Sequence, residues 1–222
     1  MKVLIFDVET TGLLPKVINI EEISKYPNII QLSFILYDTE KKEIEDSLNE
    51  YIILNRKTKI PKIVTDLTGI DKEKSLSGVS IMSGLEKFNE AYKKANKIVS
   101  HNFEFDSKMI YIEVLRNKSI IERINENLLN LLNIRSVELE KEKYCTMKKG
   151  RYICKIKAIS REGEEYYKWP KLIELYKELF KEGIENLHDS LVDTVACLRC
   201  YLKMTQNYDI GKEETINLIE NL

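Results

Sequence analysis

Lys2-Val-Leu-Ile-Phe-Asp-Val-Glu-Thr-Thr-Gly12 is the stretch on which the reading of this chain turns. Residues 2–9 have the composition of a strand. The side-chain period of two puts Val3, Ile5, Asp7 and Glu9 on one side. Most of that side is apolar, so the two carboxylates belong at the edge of a core. Like charges held there repel, and one is forced to take up a proton. A hard divalent cation such as Mg²⁺ removes that penalty. Taken alone, the pair reads as a strand end that reaches solvent. Gly12 and Pro15 break the strand.

Working outward, residues 29–37 and 48–54 read as further strands, joined by a charged turn near Asp38 to Glu43 in an antiparallel meander. The spacing of Ile81, Leu85, Phe88 and Tyr92 predicts a helix over 77–95. Ile98-Val99 is a short buried strand. Residues 103–117 read as a helix with Phe105, Met109 and Ile112 on its apolar face, and 120–134 as another. In 148–168 the alternation of Tyr152, Cys154, Ile156 and Ala158, followed by the turn-like Arg161-Glu-Gly163-Glu, predicts a β-hairpin with one basic face. Pro170 suits the first position of a helix over 170–181, ended by Gly183. Leu191, Val195, Leu198 and Leu202 form one stripe of a long helix over 189–206. A short helix follows Gly211. This order predicts an α/β layered domain with a mixed sheet.

A chain of 222 residues with 43% hydrophobic and 32% charged residues is expected to form one large soluble domain. Its net charge of −1 does not announce a polyanionic partner, but the distribution is uneven. Residues 1–50 hold 5 Lys and Arg against 10 Asp and Glu. Residues 141–171 hold 10 against 4. The second stretch suits phosphates, although a Lys-rich solvated surface accounts for it as well. Cys145, Cys154, Cys197 and Cys200 follow no secretory signal, which implies reduced thiols and a cytoplasmic location. Cys197-Leu-Arg-Cys200 lies in a helical segment, where packing explains it better than zinc. No apolar run approaches membrane-spanning length.

Two further acidic positions stand out. Asp106 follows Ser100-His-Asn-Phe-Glu-Phe at the start of a helix, where the helix dipole alone would favour it and Asn102 suits the cap. His188-Asp-Ser-Leu-Val-Asp193 places Asp193 in the first turn of the last long helix. His188 falls just outside it, where an imidazole titrating near neutrality suits a proton acceptor.

Together, Phe6-Asp-Val-Glu-Thr-Thr-Gly12, His101-Asn-Phe-Glu-Phe-Asp106 and His188 with Asp193 resemble the three signature motifs of the DEDDh family of 3′→5′ exonucleases. The resemblance covers roughly residues 2–205. Tyr144-Cys-Thr-Met147 and Lys168-Trp-Pro-Lys-Leu172 resemble segments between the second and third motifs. The resemblance implies a ribonuclease H-like three-layer fold over 1–208; the patterning of 148–168 makes it an inserted basic hairpin, and 209–222 reads as a tail or short helix. It also implies that Asp7, Glu9, Asp106 and Asp193 hold two Mg²⁺ ions, with Asp7 between them and Mn²⁺ able to substitute. His188 would be the general base. Glu9, Thr10 and Thr11 would meet the terminal 3′-hydroxyl, Gly12 would let the chain turn close to the sugar, and Leu13 would be an apolar wedge. Asn102 would support the phosphate, and Phe103 or Phe105 would stack on bases, Phe105 being the better candidate for the core. His101 receives no catalytic role.

Lys148, Lys149, Arg151, Lys155 and Lys157 are candidate contacts for the strand upstream. A 3′ end of DNA, single-stranded or frayed, is the expected substrate. RNA is the alternative with the same chemistry, and a non-catalytic nucleic-acid-binding module is the rival of a different class. A polymerase partner is not evident, and a free-standing enzyme is expected.

Overall fold

The computed structural model describes residues 1–15, 17–136, 141–185 and 188–222. The chain runs through β1 (Lys2–Thr10), a 3₁₀ helix (Ile20–Lys25), β2 (Ile29–Asp38), β3 (Glu43–Tyr51), α1 (Lys62–Thr68), α2 (Lys72–Leu76) and α3 (Ile81–Lys94). It continues through β4 (Lys97–Ser100), α4 (Phe103–Arg116), α5 (Lys118–Ile124), a second 3₁₀ helix (Glu126–Arg135), β5 (Glu142–Cys145) and α6 (Thr146–Cys154). Then come β6 (Lys157–Ile159), β7 (Glu165–Tyr167), α7 (Leu172–Phe180), α8 (Ser190–Gln206) and α9 (Lys212–Asn221).

The main sheet has the order β3-β2-β1-β4-β5. β1 pairs antiparallel with β2 and parallel with β4, and β5 continues the parallel half. Because successive side chains leave opposite faces, β1 feeds two cores at once. Leu4, Phe6 and Val8 pack with Phe34, Phe88, Met109 and Ile110 under α3 and α4. Val3 and Ile5 pack with Val99, Val195 and Leu198 under α8. The result is a three-layer α/β/α stack with β1 at its centre. Phe88 meets Phe6 edge-on at 5.1 Å and Phe34 at 6.0 Å. Its truncation to Ala would cost roughly 3–5 kcal/mol.

Several boundaries differ from the sequence reading. β3 starts at Glu43 and ends at Tyr51. It is an edge strand whose polar, partly exposed residues hide the periodicity. Residues 77–80 lie outside α3 because Val79 pairs in parallel with Ile52, and Ser80 caps the helix by accepting from the Ser83 N–H at 3.1 Å. Residues 120–134 are split between α5 and the second 3₁₀ helix. β5 went unread.

The largest correction lies in 148–168. Thr146–Cys154 is an α-helix, and the hairpin is confined to β6 and β7, which pair Lys157 with Tyr167 and Ile159 with Glu165. The apparent alternation fails because Thr146, Gly150 and Cys154, four residues apart, form the inward stripe of α6. Gly150 permits the close approach: a Cβ there would lie 2.9 Å from Leu175 Cδ1 and 3.3 Å from Pro170 Cγ. α7 begins at Leu172, two residues after Pro170, and ends at Lys181 in the left-handed conformation rather than at Gly183.

Candidate active site

The sheet brings the acidic positions to one place. Asp7 and Glu9 leave β1 on the α8 face, opposite Ser33 and Gln31 of β2 in register. Asp106 lies in the first turn of α4, which follows β4, the parallel neighbour of β1. Its Oδ2 accepts from Ser100 Oγ at 2.7 Å. Asp193 lies in the first turn of α8.

The start of α8 is tied to the sheet by a polar lattice. Ser33 Oγ meets Ser190 Oγ at 2.6 Å, and Gln31 Oε1 accepts from the Ser190 N–H at 3.2 Å. Gln31 Nε2 donates to Asp189 Oδ2 at 3.2 Å and to Asn49 Oδ1 at 3.0 Å. Asp189 caps α8 by accepting from the Leu191 N–H at 2.9 Å. Gln31 and Ser33, polar residues two apart in an apolar strand, were the sequence signal for this tie.

Asp7, Glu9, Asp106, Asp193 and His188 all line one cavity of ≈ 700 Å³, together with Leu13, His101, Asn102, Phe105, Met147 and Trp169–Ile173. Side-chain ligand atoms of Glu9, His188 and Asp193 fall within 4.8 Å of one another. The carboxyls resist ionisation. Burial first, then Asp106, Asp193, Glu9 and Asp189, raises Asp7 well above the usual carboxylate range. Burial, then Asp193, Asp106 and Asp189, pushes Glu9 to about 8. Burial raises Asp106 to about 7 against the pull of the Ser100 hydroxyl. Burial also raises Asp193 to about 7, with Asp189 and Asp106 adding to it and the His188 backbone N–H opposing.

Like charges gathered this closely need a counter-charge. Asp193 Oδ1 is buried with no hydrogen-bond partner. Hard oxygen donors on three different elements, one of them unsatisfied, fit a small divalent cation.

His188 precedes α8 with φ +74°, a left-handed conformation uncommon for a residue with a Cβ, and its side chain is exposed. That conformation keeps it out of the helix and on the cavity rim. The loop after β1 is braced from below. Thr11 N–H donates to Asn28 O at 2.9 Å, and Asn28 N–H donates back to Thr11 Oγ1 at 2.9 Å. Arg116 holds Asn28 Oδ1 at 3.0 Å. Thr10 Oγ1 donates to Gly12 O at 2.7 Å, and Leu13 stands 88% exposed.

Other expected residues are placed differently. Asn102 lines the cavity and makes no side-chain cap to α4. The two phenylalanines exchange roles: Phe103 is 8% exposed and packs edge-on against Phe6, whereas Phe105 faces the cavity. Helical geometry explains the exchange, because the first residue of α4 points back at the sheet. Lys148 and Lys149 line a separate hollow with Phe103, Arg135 and Lys143. Arg151 is on α6, Lys155 is the left-handed residue ending that helix, and Lys157 pairs with Glu165 at 3.2 Å. None of these five cations lines the carboxylate cavity.

His101 has a structural part. Its Nε2–H donates to Pro170 O at 3.1 Å, which leaves Nδ1 to accept from Thr146 Oγ1 at 3.0 Å. Burial lowers it to about 4, so it stays neutral. The sequence reading gave no site role to Trp169, Met147 and Lys171, which line the cavity; Tyr144-Cys-Thr-Met147 and Lys168-Trp-Pro-Lys-Leu172, whose resemblance it noted, were the signal.

Known proteins share this architecture. The fold matches Escherichia coli Exonuclease I in complex with a dT13 oligonucleotide, with a TM-score of 0.62 and 17% identity over 93% of this chain and 42% of that one. It matches a moderately thermophilic Exonuclease I from Methylocaldum szegediense with a TM-score of 0.61 and 14% identity, over 93% of this chain and 41% of that one. A PolC-type DNA polymerase III from Mycoplasmopsis pulmonis is 26% identical over 131 residues, 59% of this chain and 8% of that protein. The chain thus spans less than half the length of these relatives. The family model for the exonuclease RNase_T matches residues 4–201, nearly the whole three-layer stack. The acidic quartet and the histidine converge in one cavity, and the chain belongs to the RNase_T exonuclease family.

Proposed function

We propose that the protein hydrolyses the terminal phosphodiester at the 3′ end of single-stranded or frayed DNA, releasing nucleoside 5′-monophosphates. The observation that carries this reading is the set of four carboxylates with raised pKa, one oxygen of which has no partner, beside an exposed imidazole. Asp7, Glu9, Asp106 and Asp193 would hold two Mg²⁺ ions. When bound, these supply electrophilic stabilisation of the phosphoryl oxygens and make water acidic enough to attack near neutral pH.

His188, free of the helix and open to solvent, accepts the proton that the attacking water loses. Water adds to phosphorus, the bond to the upstream 3′-oxygen breaks, and that oxygen takes up a proton. Thr10, Thr11 and Gly12 orient the terminal sugar on a loop that Asn28 and Arg116 hold rigid. Leu13, an exposed apolar side chain on the rim, parts the last base from its neighbour. Single-stranded DNA is favoured because Exonuclease I of similar fold is described with dT13 and dA16 oligonucleotides.

The test is digestion of matched DNA and RNA strands labelled at either end, single and double, with EDTA and Asp7→Ala as controls. Mononucleotides released from the 3′ end of DNA, lost with EDTA, are expected. Faster loss of RNA would change the substrate; an inert protein with both Mg²⁺ and Mn²⁺ would defeat the reading.

A further inference from the structure

Trp169 is the only tryptophan of the chain, and it is 55% exposed. Aromatic side chains carry a large apolar area that folding normally hides. Among the described residues, the four exposed aromatics are Tyr152, Tyr166, Tyr167 and Trp169, all within 18 residues of sequence. This clustering is not looseness of the backbone around Trp169. His101 holds the carbonyl of Pro170, Lys168 Nζ reaches Glu174 Oε1 at 2.6 Å, and Gly150 lets α6 press on Pro170. The indole is fixed at its base and left bare in the cavity that holds the four carboxylates.

Two residues back along the chain, the β6–β7 ribbon forms a second hollow of ≈ 420 Å³. Arg151, Lys157, Glu165, Tyr166 and Tyr167 line it. Residues 146–171 hold 8 Lys and Arg against 3 Asp and Glu. Strands of three residues make a marginal hairpin alone, and the ribbon's Tyr166 and Tyr167 stay 44% and 37% exposed.

We propose that Trp169 and the ribbon hollow form a stacking track for single-stranded nucleic acid, receiving nucleobases upstream of the bond being cut. The inference rests on the exonuclease reading and extends it from the terminal nucleotide to the strand behind it. Aromatic faces stack on any base, and the neighbouring cations meet the backbone phosphates, so the track is tolerant of sequence and selective for strands whose bases are unpaired. A duplex keeps its base faces covered and gains only the charge contribution.

Because there is one tryptophan, its emission reports directly on the track. In the full chain carrying Asp7→Asn with Mg²⁺ present, dT12 is expected to quench Trp169 emission. Tyr166→Ala is expected to raise the Kd for dT12 about tenfold, Tyr166→Phe is expected to retain the parent affinity, and the penalty of the alanine should shrink as the oligonucleotide is shortened. Binding of dT12 seen by anisotropy with unaltered Trp169 emission would overturn the track. So would a blunt duplex that quenches and binds as well as dT12. Hydrolysis of the p-nitrophenyl ester of thymidine 5′-monophosphate by the wild-type chain, without dT12 binding to the Asp7→Asn chain, would remove the track alone. Absence of both would remove the exonuclease reading with it.

Discussion

The two walls of the carboxylate cavity are built on opposite principles. The floor, made by β1, α4 and α8, comes from the most buried part of the molecule: Leu4, Ile5 and Phe6 on β1 and Val195 and Leu198 on α8 are fully shielded. The facing wall, Met147 and Trp169–Ile173 with the ribbon's own hollow behind them, is held by a few side-chain ties and leaves Trp169 and the ribbon tyrosines partly exposed. The floor must resist the mutual repulsion of four carboxylates, which requires rigid attachment to two cores. The facing wall carries no such burden and is free to present a binding surface. On the proposed reading, the chemistry and the terminal nucleotide are anchored to the sheet and the loop after β1, and the strand behind them lies on the connection between α6 and α7.

Substitutions that separate the walls give effects of different size. On the floor, Asp7→Asn removes a carboxylate at the centre of the cluster and should lower kcat by about 10³-fold or more, as loss of several kcal/mol of metal-borne stabilisation implies. Steady-state digestion with Mg²⁺ checks it, and near-normal kcat would break the assignment. At the rim, His188→Ala should cost about 10²–10⁴-fold and abolish the alkaline-rising limb of the pH–rate profile. A variant that is merely slow, with the same profile, would show that another group takes the proton.

The walls also respond oppositely to pH. On the floor, the folded values of Glu9, Asp106 and Asp193 lie above their ordinary ones. Their stability contribution is complete below about pH 4 and lost as pH rises through about 7 to 8. The metal-free protein should therefore melt lower at pH 9 than at pH 7, and Mg²⁺ should restore part of the loss, in differential scanning calorimetry. A flat metal-free curve would mean the carboxyls do not share one site.

On the facing wall, His101 is depressed from 6.5 to about 4, so its contribution is present above pH 6.5 and lost as pH falls through 4. The stability gap between wild type and His101→Gln should shrink by up to roughly 3 kcal/mol over that range, read by urea unfolding at each pH. The smallest effect is expected where the ribbon meets solvent. Lys155→Glu with Lys157→Glu should weaken single-strand binding and reduce its salt slope by about 0.7 for each phosphate no longer neutralised. An unaltered salt titration would remove these lysines from the path.

How much of this was legible in the sequence follows the same division. The carboxylates could be placed on a strand and at two helix starts by local geometry, but it was the resemblance of their motifs to the DEDDh signatures that joined them into one site. Asp7 and Glu9 share a face by the pleat, and Asp193 sits in a first turn by the Asp189 cap. α6 could not be read so easily. Its Tyr152 and Cys154 continue with Ile156 and Ala158 in a run that satisfies a strand pattern equally well, and only packing against Leu175 and Pro170 selects the helix up to Cys154. Phe103 and Phe105 were likewise exchanged because which ring meets the core depends on how α4 docks on β1.

Periodicities of two and 3.6 were enough for an α/β layered domain with a mixed sheet, and the resemblance of three motifs to the DEDDh signatures singled out the acidic quartet and the histidine. It took the closed fold to tie α8 to the sheet through Gln31 and Ser33, to clamp Pro170 with His101, and to leave Trp169 bare beside the carboxylates. Those outcomes depend on segments 69 to 159 residues apart meeting in space. No local rule specifies such a meeting, because its energy comes from burial and hydrogen bonds that exist only once the layers have closed.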